Sequence, residues 1–249
     1  MSRRPLQTFH TAYSEKGKTA LVSLASTKQL HVHALTLMNR SGGAANCGLL
    51  IKYNNARWKI GTLIAANTPD YTTDVTSLIQ GGSATTIVTT TNNDGYLISA
   101  DKPFSYFGYT VSQAESGAPV YTYQYYNGTA YTNLTSIELG GYASTGDKTI
   151  AFQSPIDWAV GTTAAVGGPT TQYNLKVIAS TAPGTAIQIN NAWVARFMKF
   201  QEGLADNSNL VLTFDNDFPL VLEGGESVMP YFGTASADNA VDGQYAVQD

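Results

Sequence analysis

Between residues 30 and 232 nearly every apolar run is short and ends at Gly, Asn, Asp or Pro, so the chain has little room for helices. Leu30, Val32 and Ala34 alternate with His31, His33 and Leu35; the turn Asn39-Arg40-Ser41-Gly42-Gly43 follows, and then Cys47 to Tyr53. That order predicts a hairpin. Tyr121, Tyr123 and Tyr125 share one face of another strand, and Asn127-Gly128 supplies the positive φ angles of a tight hairpin turn. Further strands are predicted over 149–152, 173–178, 193–200, 210–214, 219–222 and 227–232, with Glu223-Gly224-Gly225-Glu226 turning between the last two. The stretch 193–200 is apolar on both faces, as a strand covered on both sides would be. The best helical candidate is Asp74 to Gln80, stopped by Gly81-Gly82. More than ten short strands and no repeat of fixed period predict an all-β fold of two β-sandwich domains, jelly-roll or Ig-like, with very little helix.

Two Thr/Gly/Ser-rich stretches, 81–93 and 179–185, read as junctions around a Tyr-rich middle. The predicted layout is an N-terminal arm over 1–19, a discontinuous sandwich from 20–90 with 186–249, and an inserted sandwich over 94–182. Neither flank alone has a comfortable size for a sandwich. Two consecutive domains followed by a C-terminal one is the competing layout. The polar segments 2–15 and 234–249 read as arms that order on docking.

Only 13% of the 249 residues are charged, about half the usual share. Thr, Ser, Asn and Gly keep such a surface wet. Fourteen basic and 18 acidic residues give a net charge of -4 with no basic tract, which argues against a phosphate-backbone partner. No segment approaches the length of an apolar membrane span, and Met1-Ser2-Arg3-Arg4-Pro5 leads into no apolar run, so neither a membrane nor a secretory signal is expected. Cys47 is alone, which excludes an internal disulfide and fits assembly in a reducing cytosol. The sequons at Asn39, Asn127 and Asn133 read as by-products of an Asn/Thr-rich composition.

His31 and His33 lie two apart on a predicted strand and so point the same way, but only His10 and Cys47 remain as soft co-ligands, and the pair reads as an interface feature. Asp215-Asn216-Asp217 lacks the remainder of a calcium loop. No Gly-x-Ser-x-Gly elbow or phosphate loop occurs. Cys47 reads as a small buried apolar residue. Asp94, Asp101, Asp147 and Asp157 hold open a carboxylate pair for sugar hydrolysis, although each sits at a Gly, Pro or Lys that suggests a turn. The expectation is no catalytic residue, no cofactor and no metal. Fifteen tyrosines exceed what a core needs, so Tyr123, Tyr125, Tyr126, Tyr131 and Trp158 are candidates for an interface or glycan contact.

The middle segment carries Asp94-Gly95-Tyr96-Leu97-Ile98, then Lys102-Pro103-Phe104, then Phe107, Tyr109 and Val111 at period two. The aromatic run Tyr121 to Leu134 follows, then Ile150-Ala151-Phe152, Pro155-Ile156-Asp157-Trp158 and Tyr173-Asn174-Leu175-Lys176-Val177. In order and spacing this resembles a module of tailed-bacteriophage virion proteins and of contractile-injection baseplates, over about a third of the chain. Tryptophan is usual in that family near Tyr125 or Tyr126 and at Tyr131, where this chain has tyrosine, and Lys176 stands where arginine is common. The resemblance implies a non-enzymatic virion structural protein, assembled in the host bacterial cytoplasm. It would self-associate as a homo-oligomer, a trimer, and dock on the major capsid protein or on tail proteins as decoration, cement or a tail-associated component. The alternative is a carbohydrate-binding module of a phage tail fibre, using the Tyr121 to Tyr131 hairpin. Trp158, after a Pro turn, would plug one end of the sandwich.

Overall fold

Alternation of β-branched and aromatic residues with Thr, Ser, Gln and Lys suits half-buried strands, and strands are what the chain forms. The computed structural model describes residues 7–12, 22–23, 29–214, 220–222, 225–233 and 239–248. In chain order the strands begin with β1 (Gln7–Ala12), β2 (Val22–Ser23), β3 (Gln29–Asn39), β4 (Ala45–Lys52), β5 (Trp58–Leu63) and β6 (Tyr71–Asp74). The helix α1 (Thr76–Gln80) precedes β7 (Thr85–Val88), β8 (Gly95–Ala100), β9 (Tyr106–Gln113), β10 (Val120–Tyr126) and β11 (Tyr131–Asn133). Next are β12 (Ser136–Leu139), β13 (Gly146–Phe152), β14 (Tyr173–Thr181) and β15 (Ile187–Leu204), and the series ends with β16 (Ser208–Thr213), β17 (Leu220–Leu222), β18 (Ser227–Phe232) and β19 (Ala240–Gln248). Among the described residues α1 is the one α-helix, as the Gly81-Gly82 stop predicts. The fold is all-β and sandwich-like.

Two compact units result, an inserted unit of Asn55–Val194 and a two-segment unit of Met1–Asn54 with Ala195–Asp249. The inserted unit begins well before residue 94, because β5 pairs with β8 from Trp58↔Ala100 to Leu63↔Gly95. The stretch 81–93 is therefore no linker: β7 lies inside it and pairs with β15 at Ile187↔Val88. The inserted unit sets a six-stranded antiparallel sheet, ordered β11-β10-β14-β8-β5-β6, against β12-β13-β9-β15. Its core is aromatic, with Trp58, Tyr96, Phe104, Tyr106, Phe107, Tyr109, Tyr142 and Phe152 fully buried. Gly108 is required by this packing, since a Cβ there would lie 2.2 Å from the Trp193 indole.

In the two-segment unit, β1-β19-β3-β16 with β17 forms one sheet, and β15-β4-β18-β2 forms the other. An aliphatic cluster fills it, including Leu35, Leu37, Cys47, Leu49, Ile51, Val228 and Val241. Full burial of one such side chain stabilises by about 1.5–3 kcal/mol. The predicted hairpin between β3 and β4 does not form; the two strands belong to different sheets. Asn39 explains the crossing. It is fully buried, and its Nδ2 donates to the Gly43 carbonyl at 2.9 Å and to the Leu204 carbonyl at 2.7 Å, which fixes the turn as a corner between sheets. The two predicted arms are also corrected. Gln7–Ala12 and Ala240–Gln248 are strands paired with each other, and β19 pairs on its other side with β3. Continuous backbone pairing orders them within the unit.

Candidate functional site

β10 sorts the candidate aromatics onto opposite faces of its sheet. Tyr121, Tyr123 and Tyr125 alternate with Thr122 and Gln124, and turn inward. Tyr121 packs edge-on against Tyr142, ring centroids 4.8 Å apart, and Tyr142 stacks on Tyr109 at 5.4 Å. The phenols find partners within the core. Tyr96 and Tyr142 share a hydrogen bond, Tyr121 donates to the Glu115 carboxylate, and Tyr109 donates to the Gly141 carbonyl at 3.1 Å. Burial pushes Tyr123 up to about 12 and raises Tyr96, Tyr109 and Tyr142 well above the ordinary phenol value.

At the other end of β10, Tyr125 donates to Asp157 at 2.9 Å, which raises its pKa. Trp158 is buried there, 4.9 Å from Phe104, 5.8 Å from Phe152, 6.0 Å from Tyr173 and 6.2 Å from Tyr125 between ring centroids. Of the five candidate aromatics, Tyr125 and Trp158 are thus core residues, and Tyr123 is half-buried on the same face as Tyr125.

Tyr126 and Tyr131 lie on the outward face. They are paired in register across β10 and β11, with ring centroids 5.7 Å apart. The turn between them is a four-residue loop and not the tight two-residue turn that Asn-Gly predicts. Gly128 alone takes positive φ, at 97°, while the Asn127 side chain accepts from the Thr129 and Ala130 amides. Tyr131 shares a hydrogen bond with Thr162 at 2.9 Å, and burial pushes its pKa to about 12.

The Lys176 ammonium stands 4.4 Å from the centroid of the Tyr131 ring. Lys176 lies on β14 between Gln124 of β10 and Leu97 of β8, so all three share this face. Its pKa is lowered by burial and partly restored by the charge of Asp70. Asp70 is raised by burial, against the pull of Lys176 and with a further push from Asp94. A strap over residues 162–169 covers the Leu97 end of the face. Val166 packs with Leu63 and Leu97, and the backbone of Tyr71 donates to the Val166 carbonyl. Gly61 leaves room beneath this edge, where its Cβ would lie 2.3 Å from the Tyr71 ring. Thr122, Gln124, Lys176 and Ile178 remain half-buried.

The other candidates do not converge. Asp94 accepts from Thr89 and from the Ala65 amide, Asp101 pairs with Arg57 at 2.8 Å, and Asp147 accepts from Thr110 at 2.6 Å. With Asp157 bonded to Tyr125, each of the four carboxylates has its own separate partner. His31 Nε2 and His33 Nδ1 have no hydrogen-bond partner among the described residues, and burial and then the charge of His33 hold His31 below its ordinary value. No group of three His, Cys, Asp or Glu side chains suited to a metal occurs among the described residues. The side chain of His10 and the segment Asp215-Asn216-Asp217 lie outside the described residues. Cys47 is fully buried, which pushes its thiol up to about 11. Sequence reasoning missed that Lys176 lies over the Tyr131 ring. The available signal was a lone lysine inside an apolar strand, Leu175-Lys176-Val177.

No protein-family model matches the chain. No curated protein matches it. Among solved structures it is similar to the family 32 carbohydrate-binding module of NanJ from C. perfringens, determined in complex with galactose. The TM-score is 0.37 and the identity 14%, over 59% of this chain and 99% of that one.

Proposed function

We propose that the chain is a non-enzymatic structural protein of a tailed-phage particle. It self-associates as a closed trimer and docks on the capsid as decoration or on the tail. The observation that carries this reading is the distribution of exposed apolar side chains. Ile156 is wholly exposed at 106% of its reference area, with Val160 at 50% four residues on and Val120 at 55% at the start of β10. In the two-segment unit, Val211 on β16 and Val221 on β17 are likewise exposed. In a chain this poor in charge, such residues are what burial against other proteins would use. The resemblance of the middle segment to phage virion modules supplies the particle. The tyrosines of that module act here as packing and internal hydrogen bonding, work that needs no substrate.

Multi-angle light scattering on the purified chain, combined with co-sedimentation on phage particles lacking it, tests the reading. A discrete trimer that restores binding to the particles is expected. A monomer at high concentration that never sediments with particles overturns it.

A further inference from the structure

β3 breaks its own alternation to keep two imidazoles on one side of its sheet. Val32, Leu35 and Leu37 all belong to the aliphatic cluster, so the inward positions are spaced by three residues and then by two. Strict alternation back from Leu35 would send His33 into that core. An extra residue in β3 prevents it: β19 pairs Tyr245 with Val32 and Gln244 with Ala34, and leaves no residue opposite His33. The bulge turns His33 outward beside His31, whose register partner on β17, Val221, is exposed. Two positions apart on one strand, the two Cα atoms are separated by about 6–7 Å. Both rings are half-buried, and His31 Nε2 and His33 Nδ1 are each closed off from solvent with no hydrogen-bond partner among the described residues. Sealing such a nitrogen without a partner costs free energy that a ligand for it recovers.

We infer that His31 and His33 together chelate a divalent transition-metal ion of the zinc, nickel and copper class, a role that goes beyond the structural function proposed above and does not depend on it. Neutral imidazole nitrogens suit these ions, whereas magnesium and calcium take oxygen ligands. Burial, and then the charge of His33, holds His31 below its ordinary value, which keeps the ring neutral at pH 7 and one of its nitrogens a lone-pair donor. A proton satisfies one nitrogen and charges a half-buried ring; a metal ion satisfies one nitrogen of each ring at once. Among the described residues no third His, Cys, Asp or Glu side chain joins the pair. His10 lies away from it by register, opposite Asp242 and through it Thr36, two strands across from β3. The ion therefore keeps open positions for water and exchanges, unlike one in a closed four-ligand structural site.

The test is a titration of the untagged full chain with zinc, nickel and copper(II) chlorides, followed by calorimetry and by the imidazole NMR resonances, with magnesium chloride as the control. At least one of the three ions should bind as one ion per chain and should shift or broaden His31 and His33 together, with His10 unmoved and magnesium without effect. His31→Gln and His33→Gln should each weaken binding about tenfold or more. Should either variant fold poorly, the paired response of the two rings in the unaltered chain decides alone. No binding of any of the three ions, a response centred on His10 or on one ring only, an equal response to magnesium, or full affinity in either folded variant overturns the inference.

Discussion

The two units reach the same sandwich architecture with different interiors. The two-segment unit is filled mainly by Leu, Val, Ile, Ala and one cysteine, with Phe232 among them, and of its tyrosines Tyr53 and Tyr231 are fully buried. The inserted unit holds eleven of the fifteen tyrosines and all three tryptophans, and most of its buried rings carry a polar atom that must be placed. An aliphatic core tolerates small rearrangement, because any close contact serves. A hydroxylated aromatic core is held by pairs, so loss of one partner strands the other. Specificity of packing in the inserted unit therefore rests on a few hydrogen bonds as well as on shape.

Alkaline pH should separate the units most sharply. Eight tyrosines of the inserted unit have raised pKa values, Tyr71, Tyr123 and Tyr131 to about 12. A proton held more tightly in the fold than in the unfolded chain stabilises fully below the ordinary phenol value near 10 and is lost as pH rises toward the folded value. The inserted unit should unfold cooperatively above about pH 10, with phenolate absorbance and loss of near-ultraviolet dichroism moving together. The two-segment unit faces a smaller version of the same effect through the Cys47 thiol and should unfold later. Gradual, independent ionisation with the fold intact would break the contrast.

Trp158→Ala comes next in size. It removes a ring packed against four others and should cost about 3–5 kcal/mol in the inserted unit. Denaturant unfolding should then resolve two transitions, the earlier one alone moved. The smallest effect is the sharpest test of pairing. Tyr142→Phe strands the Tyr96 hydroxyl and should cost about 1–3 kcal/mol, whereas the double change Tyr96→Phe with Tyr142→Phe should recover part of that loss in a thermodynamic cycle. Simple additivity of the two single changes would show that the phenols do not act as a unit.

Alternation along the chain made the strands legible. Tyr121, Tyr123 and Tyr125 sharing a face, and the Gly81-Gly82 stop of α1, follow directly from local pattern. Which sheet a strand joins does not, because that is decided by contacts distant in sequence. β3 and β4 read as a hairpin because a turn lies between them, yet the corner is set by Asn39 bonding to Leu204, 165 positions away. The direction of the tyrosine face was also readable in principle. Thr122 and Gln124 on the opposite side mark the wetter face, and the count of tyrosines drew attention to the wrong one. Lys176 comes to lie over the Tyr131 ring only through the strand order β11-β10-β14, which no periodicity encodes.

The position of β19 carries a consequence for biosynthesis. It lies between β1 and β3, so residues 7–12 and 29–39 have no common neighbour until residues 240–248 leave the ribosome. The inserted unit, by contrast, is fully translated once Val194 emerges. Vectorial synthesis thus lets the tyrosine-rich unit fold while the early strands of the other still wait, exposed, for their last partner. Chaperone demand during translation should concentrate on those early strands.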